Sequence, residues 1–200
     1  MEKVGKENAT LIMHTDPIDP YGQDLQAILE KLEMTNGEVQ FSTQKLPPEQ
    51  LSLLYNAAHC TINISDAEGF GLATLESLSC ETPIIVNMTG GLQEQVTNGD
   101  EWFGIGLEPA SKAIIGSQEV PYIYEDRVSG VEVVDALEKM YNMSKEDREA
   151  LGKKGRGHVM KNYNFEVFAK TWQNFMLNVH EEAGSWETRK GYKSWELIEI

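Results

Sequence analysis

Two hundred residues carry a net charge of −15, from 32 acidic against 17 basic side chains. That length fits one domain of ordinary size or two small ones, and 40% hydrophobic with 24% charged residues excludes wholesale disorder. The acidic balance repels phosphate backbones at long range and excludes a general nucleic-acid binder. Two cysteines, Cys60 and Cys80, do not make a disulfide scaffold, and their apolar surroundings predict reduced, buried thiols. The polar start, Met1 to Asn8, has no signal-peptide character, and no run reaches the roughly 18 apolar residues of a membrane span. The compartment expected by default is the cytoplasm.

Along the chain, Ala9 to His14 is an apolar run of strand length. Leu25, Ile28, Leu29 and Leu32 repeat at helical spacing, and Asn36-Gly37 closes that helix as a turn. Val39 and Phe41 alternate with polar neighbours, as in a strand. Pro47-Pro48 opens a helix that puts Leu51, Leu54, Tyr55 and Ala58 on one face. Cys60 to Ile64 predicts a strand, Gly71 to Ser79 a helix, and Pro83 to Asn87 a strand before the turn Thr89-Gly90-Gly91. Strand and helix in alternation imply βαβ units, hence a Rossmann-like α/β fold: a parallel sheet with helices on both faces. Such sheets bind ligands beyond the carboxyl ends of their strands. Residues 101–128 show little period and predict loop, with a short strand near Val120 to Tyr124. Three appended helices follow. Val133, Leu137, Met140 and Tyr141 share a face of the first; Ser144 and Asp147 cap the second. Phe165, Phe168, Trp172, Phe175 and Val179 form a stripe on the third, expected to be core. One domain over residues 1–184 and a tail over 185–200 are expected.

The segment Ser65-Asp66-Ala67-Glu68-Gly69-Phe70-Gly71-Leu72-Ala73-Thr74-Leu75-Glu76 carries the chemistry. It joins a strand to a helix. Gly69 and Gly71 let backbone amides approach a ligand with no side chain in the way, and amides at a helix N-terminus favour anions. Glu68 lies before the helix and Glu76 eight positions on, inside it. Carboxylates beside an anion site make sense as acceptors for hydroxyl groups, as on a sugar or ribose. The plainer alternative, Glu68 as a cap and Glu76 solvated, stays open on these residues alone. His14 ends the first strand on the ligand side of a parallel sheet and is a further candidate for the cleft. No Asp-x-Asp triplet and no Cys/His cluster with metal spacing occurs, so no metal and no cofactor is expected. The cluster Lys153-Lys154-Gly155-Arg156-Gly157 lacks Walker spacing and predicts a solvated helix face.

From about Leu11 to Trp172 the chain resembles the donor-binding domain of retaining glycosyltransferases of the two-domain GT-B fold, group 1 (family 4). The resemblance rests on Leu46-Pro47-Pro48-Glu49-Gln50-Leu51, Leu54-Tyr55-Asn56-Ala57-Ala58, Glu68-Gly69-Phe70-Gly71-Leu72 through Glu76, Thr82-Pro83-Ile84-Ile85, and Gly90-Gly91-Leu92-Gln93-Glu94. It implies that Glu68 is the carboxylate of the catalytic centre, binding donor-sugar hydroxyls beside the anomeric carbon. It further implies that the Gly69, Phe70 and Gly71 backbone touches sugar and phosphate, that Leu72 and Ala73 add amides toward the diphosphate, and that Glu76 holds the ribose. The loop from Thr43 through Lys45 to Leu46 is placed to meet the nucleobase, and Gly90-Gly91 to pass near the donor. The implied substrates are a UDP-sugar or GDP-sugar and the hydroxyl of an acceptor sugar, lipid or protein.

The chain departs from the family pattern at Ile64, where proline is usual, at His59 (aspartate) and at Glu81 (glycine). A larger departure is electrostatic. Such enzymes use an arginine and a lysine on the donor domain to neutralise the diphosphate, yet no Lys or Arg occurs from Leu46 to Ser111. The family places those cations in a first βα unit upstream of Leu11, so the chain is expected to be most of a donor domain. The acceptor domain and its catalytic groups would precede it, and the 200 residues alone would be inactive. Peripheral membrane contact through that other domain stays open, as does a non-catalytic nucleotide-sugar-binding module.

Overall fold

The computed structural model describes residues 1–20 and 22–191, so Tyr192 and Trp195 of the expected tail lie outside the described residues. The chain divides into two compact units, Met1–Gln50 and Leu51–Ile200.

In the first unit β1 (Leu11–Met13) and β2 (Val39–Phe41) pair in parallel, Leu11 opposite Val39. Between them runs α1 (Leu25–Lys31), where the Asp24 side chain accepts from the Ala27 amide. That bond satisfies one of the orphan donors of the first turn. The helix stops at Lys31, before the Asn36-Gly37 turn, because Glu33 takes a left-handed φ of 54°.

The second unit takes up α2 (Pro48–Ala57) from Leu51 onward, then β3 (Thr61–Asn63), α3 (Leu72–Ser79), β4 (Ile84–Asn87), α4 (Leu92–Val96) and β5 (Gly104–Leu107). Its sheet is parallel, in the order β3-β4-β5. All four residues of β4 are buried, as a central strand covered on both faces requires. Strand alternation splits the core in two. Ile84 and Val86 pack with Leu78 of α3, Leu92 and Val96 of α4, and Val159 of α6 (Lys145–Asn162). Ile85 packs the opposite way, with Ala136 and Met140 of α5 (Gly130–Asn142). Helices therefore lie on both faces, as expected. Because the strands are parallel, the loops that follow β3 and β4 emerge at the same edge of the sheet.

Three expectations need correction. Residues 101–128 are not loop with one short strand. They hold β5 and an antiparallel hairpin of β6 (Ser111–Ile115) and β7 (Ile123–Arg127). In β5 a Cβ on Gly104 would lie 2.1 Å from the Ile84 carbonyl oxygen, so a residue type that signals loop is here demanded by close strand approach. A short helix, α4, also follows Gly91 where only a turn was expected. Finally, the stripe on α7 (Phe165–Ala183) is not core: Phe165, Phe168, Trp172, Phe175 and Val179 are 43–80% exposed. Its rings contact one another, Phe168 with Trp172 and Trp172 with Phe175. Among the described residues no helix is long and apolar enough to cross a membrane.

Candidate functional site

The site is built on the β3–α3 connection. Asn63, the last residue of β3, donates through Nδ2 to Glu68 Oε2 at 3.2 Å and accepts from the Ser65 amide through Oδ1. The other oxygen of Glu68 accepts from the Gly69 amide at 3.1 Å. The half-buried Glu68 carboxylate is thus held from both sides at the mouth of the loop. Gly71 then takes φ 87°, ψ 63° and opens α3. That left-handed conformation favours glycine, and a Cβ there would lie 2.5 Å from Leu92 Cδ2.

The loop is bolted down through its carbonyls. Gly91 donates its amide to Gly69 O at 2.9 Å. Gln95 of α4 is fully buried; its Nε2 donates to Phe70 O at 2.7 Å and to Gly71 O at 3.1 Å, while its Oε1 accepts from the Thr74 hydroxyl at 2.6 Å. Carbonyls drawn toward α4 leave the amides available. Among the described residues, the amides of Phe70, Gly71, Leu72 and Ala73 donate to no protein acceptor. Phe70, Leu72 and Ala73 are exposed. Free amides at the start of a helix, with the positive end of its dipole, favour anions.

Glu76 lies on the exposed side of α3, where its Oε2 accepts from the Tyr55 hydroxyl at 2.9 Å. Burial first, and the Glu76 carboxylate second, hold the Tyr55 phenol far above the usual tyrosine range. Gly90 and Gly91 do stand at this loop, packed against its backbone. A Cβ on Gly90 would fall 1.8 Å from Glu68 O, and one on Gly91 2.6 Å from Phe70 O.

His14, Thr43 and Lys45 belong to the other compact unit. There His14 Nδ1 lies 2.9 Å from Ser42 Oγ, joining the carboxyl ends of β1 and β2, while Thr43 and Lys45 are exposed. An open hollow of about 560 Å³ is lined by Gln93, Glu94, Thr97, Asn98, His158, Asn162 and Tyr163. It includes neither Glu68 nor Glu76, so the two carboxylates stand on an open edge and not in that hollow. Among the described residues no group of three His, Cys, Asp or Glu is arranged to hold a metal ion.

The edge is braced further. Fully buried Asn87, at the end of β4, donates through Nδ2 to the carbonyls of Ser65 and Asp126. The Asp126 amide donates to Asp66 O, and Arg127 pairs with Asp66 at 2.7 Å. The hairpin is thereby tied to the loop that carries Glu68. Sequence reasoning missed Tyr55, Asn63, Asn87 and Gln95 as supports of the site. Only Asn63, five positions before Glu68, had a local signal.

A family model described as glycosyl transferases group 1 matches residues 20–158. The D-inositol 3-phosphate glycosyltransferase of Acidothermus cellulolyticus is 41% identical over 69 residues, 34% of this chain and 15% of that protein. Sucrose-phosphate synthase of Thermosynechococcus elongatus superposes with a TM-score of 0.64 at 22% identity, over 86% of this chain and 38% of that one. The Anabaena protein HepE, solved with UDP and glucose, superposes with a TM-score of 0.58 at 14% identity, over 88% of this chain and 50% of that one. The chain therefore spans half or less of the length of these proteins.

Proposed function

We propose a function on one premise: this chain belongs to the group 1 glycosyl transferases, and within such a transferase its role is to bind the donor, a UDP-sugar or GDP-sugar. One observation carries the reading. The loop Gly69–Gly71 is held by its carbonyls, so a row of free amides opens beside two carboxylates at the start of α3. The amides suit the diphosphate. Glu68 suits hydroxyls of the transferred hexose, and Glu76 those of the ribose. The solved neighbour that holds UDP and glucose supports the choice of ligand.

In the transfer, the acceptor hydroxyl oxygen bonds to the anomeric carbon as the bond from that carbon to the phosphate oxygen breaks. The hydroxyl proton leaves with the diphosphate. Attack comes on the face the leaving group departs from, so configuration is retained. Negative charge grows on the departing phosphate, where fixed amides stabilise it without reorganising; Glu68 orients the sugar. No residue here is assigned the role of covalent nucleophile. The acceptor and the groups that orient it belong to the rest of a two-domain enzyme, and turnover requires that part. The working compartment on this reading is the cytoplasm.

Titration calorimetry of the chain with UDP- and GDP-sugars, beside Glu76→Ala, tests the reading. Loss of a carboxylate–hydroxyl contact of the charged kind costs about 1.5–3 kcal/mol, so affinity should fall roughly 10- to 100-fold. Equal binding by both proteins refutes the ribose role, and no binding by either refutes the donor site.

A further inference from the structure

Tyr55 is not among the residues that would touch a sugar, a phosphate or an acceptor, yet its phenol is the one hydrogen-bond partner of the Glu76 carboxylate among the described residues. We infer that Tyr55 is the positioning residue of the ribose site, fixing the Glu76 carboxylate so that the chain selects a ribonucleotide over its deoxy counterparts. The inference rests on the donor-binding reading above and adds to it the element that sets selectivity for the nucleoside.

The geometry is a closed circuit through two helices. Tyr55 is on α2 and Glu76 on α3, 21 positions apart, and their side chains meet at 2.9 Å. Behind them both helices are referred to one residue. Thr82, buried at the turn into β4, donates its hydroxyl to the Tyr55 carbonyl at 2.9 Å. Its own carbonyl accepts from the hydroxyl of Ser77, the neighbour of Glu76, at 3.0 Å. Ser77 Oγ also lies 2.7 Å from Thr61 Oγ1 of β3 and can accept from that hydroxyl. The phenol and the carboxylate are therefore anchored to the same backbone and cannot drift apart independently.

A glutamate on an exposed helix face has three rotatable bonds and would ordinarily sample several rotamers. One hydrogen bond to Oε2 selects among them. Oε2 retains a second lone pair and Oε1 has no donor among the described residues, so acceptor sites remain for a vicinal pair of hydroxyls. The phenol is a reliable donor, because burial and the neighbouring carboxylate both keep its proton on. A carboxylate fixed in advance loses less freedom when the ribose arrives, and that saving is available only to a ligand with hydroxyls to offer.

The experiment compares the full chain with Tyr55→Phe, Glu76→Ala and the double variant. Probes are UDP and GDP and their 2′,3′-dideoxy counterparts, read by calorimetry. Phenylalanine removes one oxygen and keeps the ring, and a thermal melt checks that the variant is folded. Loss of one hydrogen bond to a charged group corresponds to a change of roughly tenfold. UDP or GDP affinity should fall about that much in Tyr55→Phe, dideoxy affinity should hold, and in the Glu76→Ala background the tyrosine change should add nothing. Equal loss for the ribo and dideoxy ligands makes Tyr55 merely structural and overturns the inference. So does wild-type affinity in Tyr55→Phe where Glu76→Ala has lost binding, and in that case the donor reading survives. A wild-type chain that binds neither diphosphate removes the donor reading and this inference together.

Discussion

Gly91→Ala separates the shape of the Glu68–Phe70 loop from every other property of the site. Gly91 has φ −68° and ψ −13°, an ordinary right-handed conformation that alanine adopts without strain. Any cost is therefore steric. A Cβ there would lie 2.8 Å from Phe70 Cα and 2.6 Å from Phe70 O. Carbon atoms pack best at about 3.5–4.0 Å, so the loop and the start of α4 must separate by roughly 0.7 Å. The 2.9 Å bond from the Gly91 amide to Gly69 O lengthens with them. Overpacking of this kind costs about 1–3 kcal/mol. A displacement approaching 1 Å in a group that positions a ligand can cost about 100-fold in rate. The expected outcome is a folded variant with a lowered melting midpoint and a roughly 10- to 100-fold loss of UDP or GDP affinity, read by calorimetry and a thermal melt. Unchanged affinity with a lowered midpoint would show that the fit between α4 and the loop does not shape the binding edge, and the carbonyl-anchoring argument would fall.

Two further substitutions probe the same reasoning from other sides. At Gly69 a Cβ meets nothing within 4 Å, so Gly69→Ala should leave the melt within about 0.5 kcal/mol of wild type; it should still weaken UDP-sugar binding several-fold, because the methyl takes space reserved for the ligand, and wild-type affinity would place the donor elsewhere. Glu81, where relatives in the resemblance carry glycine, has φ 62°, and its side chain makes, among the described residues, a long 3.9 Å ion pair with Arg156. Left-handed strain of about 1–2 kcal/mol outweighs an exposed pair worth at most about 1 kcal/mol, so Glu81→Gly should raise the denaturation midpoint, whereas a fall would show that the turn tolerates the side chain.

Legibility in the sequence followed the range of the interactions. The elements from β1 to β4 were readable because each puts its own apolar period or its own turn chemistry into a few consecutive residues. The cap Ser144 was readable for the same reason, its hydroxyl accepting from the Asp147 amide three residues on. β5 was not, because its glycines answer to Ile84 and Met88 on a neighbouring stretch. The hairpin was not, since Ile114 and Tyr124, which face each other across it, are both exposed and show no burial pattern. The α7 stripe shows the limit of periodicity itself. Spacing identifies an apolar face but carries no information on what covers it. At the site, Glu68 to Glu76 were legible as one contiguous segment. Tyr55 and Gln95 act on that segment from 21 and 24 positions away, and nothing local distinguishes a tyrosine or glutamine that does so.

The charge now bears on the site. No lysine or arginine occurs from Leu46 to Ser111, and among the described residues the cations of the hairpin tied to the loop are paired. Arg127 is engaged by Asp66 and Glu125, and Lys112 lies 3.5 Å from Asp126. The free amides at α3 offer the equivalent of about half a positive charge, against roughly two negative charges on a donor diphosphate. On the donor-binding reading, the amides offset only part of that charge. On the same reading, hydroxyl contacts at Glu68 and Glu76 add to the amides, and both are exchanges of a solvated carboxylate for a bonded one, each worth little unless the carboxylate is already in place. That requirement gives the supporting bonds their weight. Asn63 and the Gly69 amide fix Glu68, and Tyr55 fixes Glu76. On that reading, acceptors fixed before the ligand arrives lose less freedom on binding.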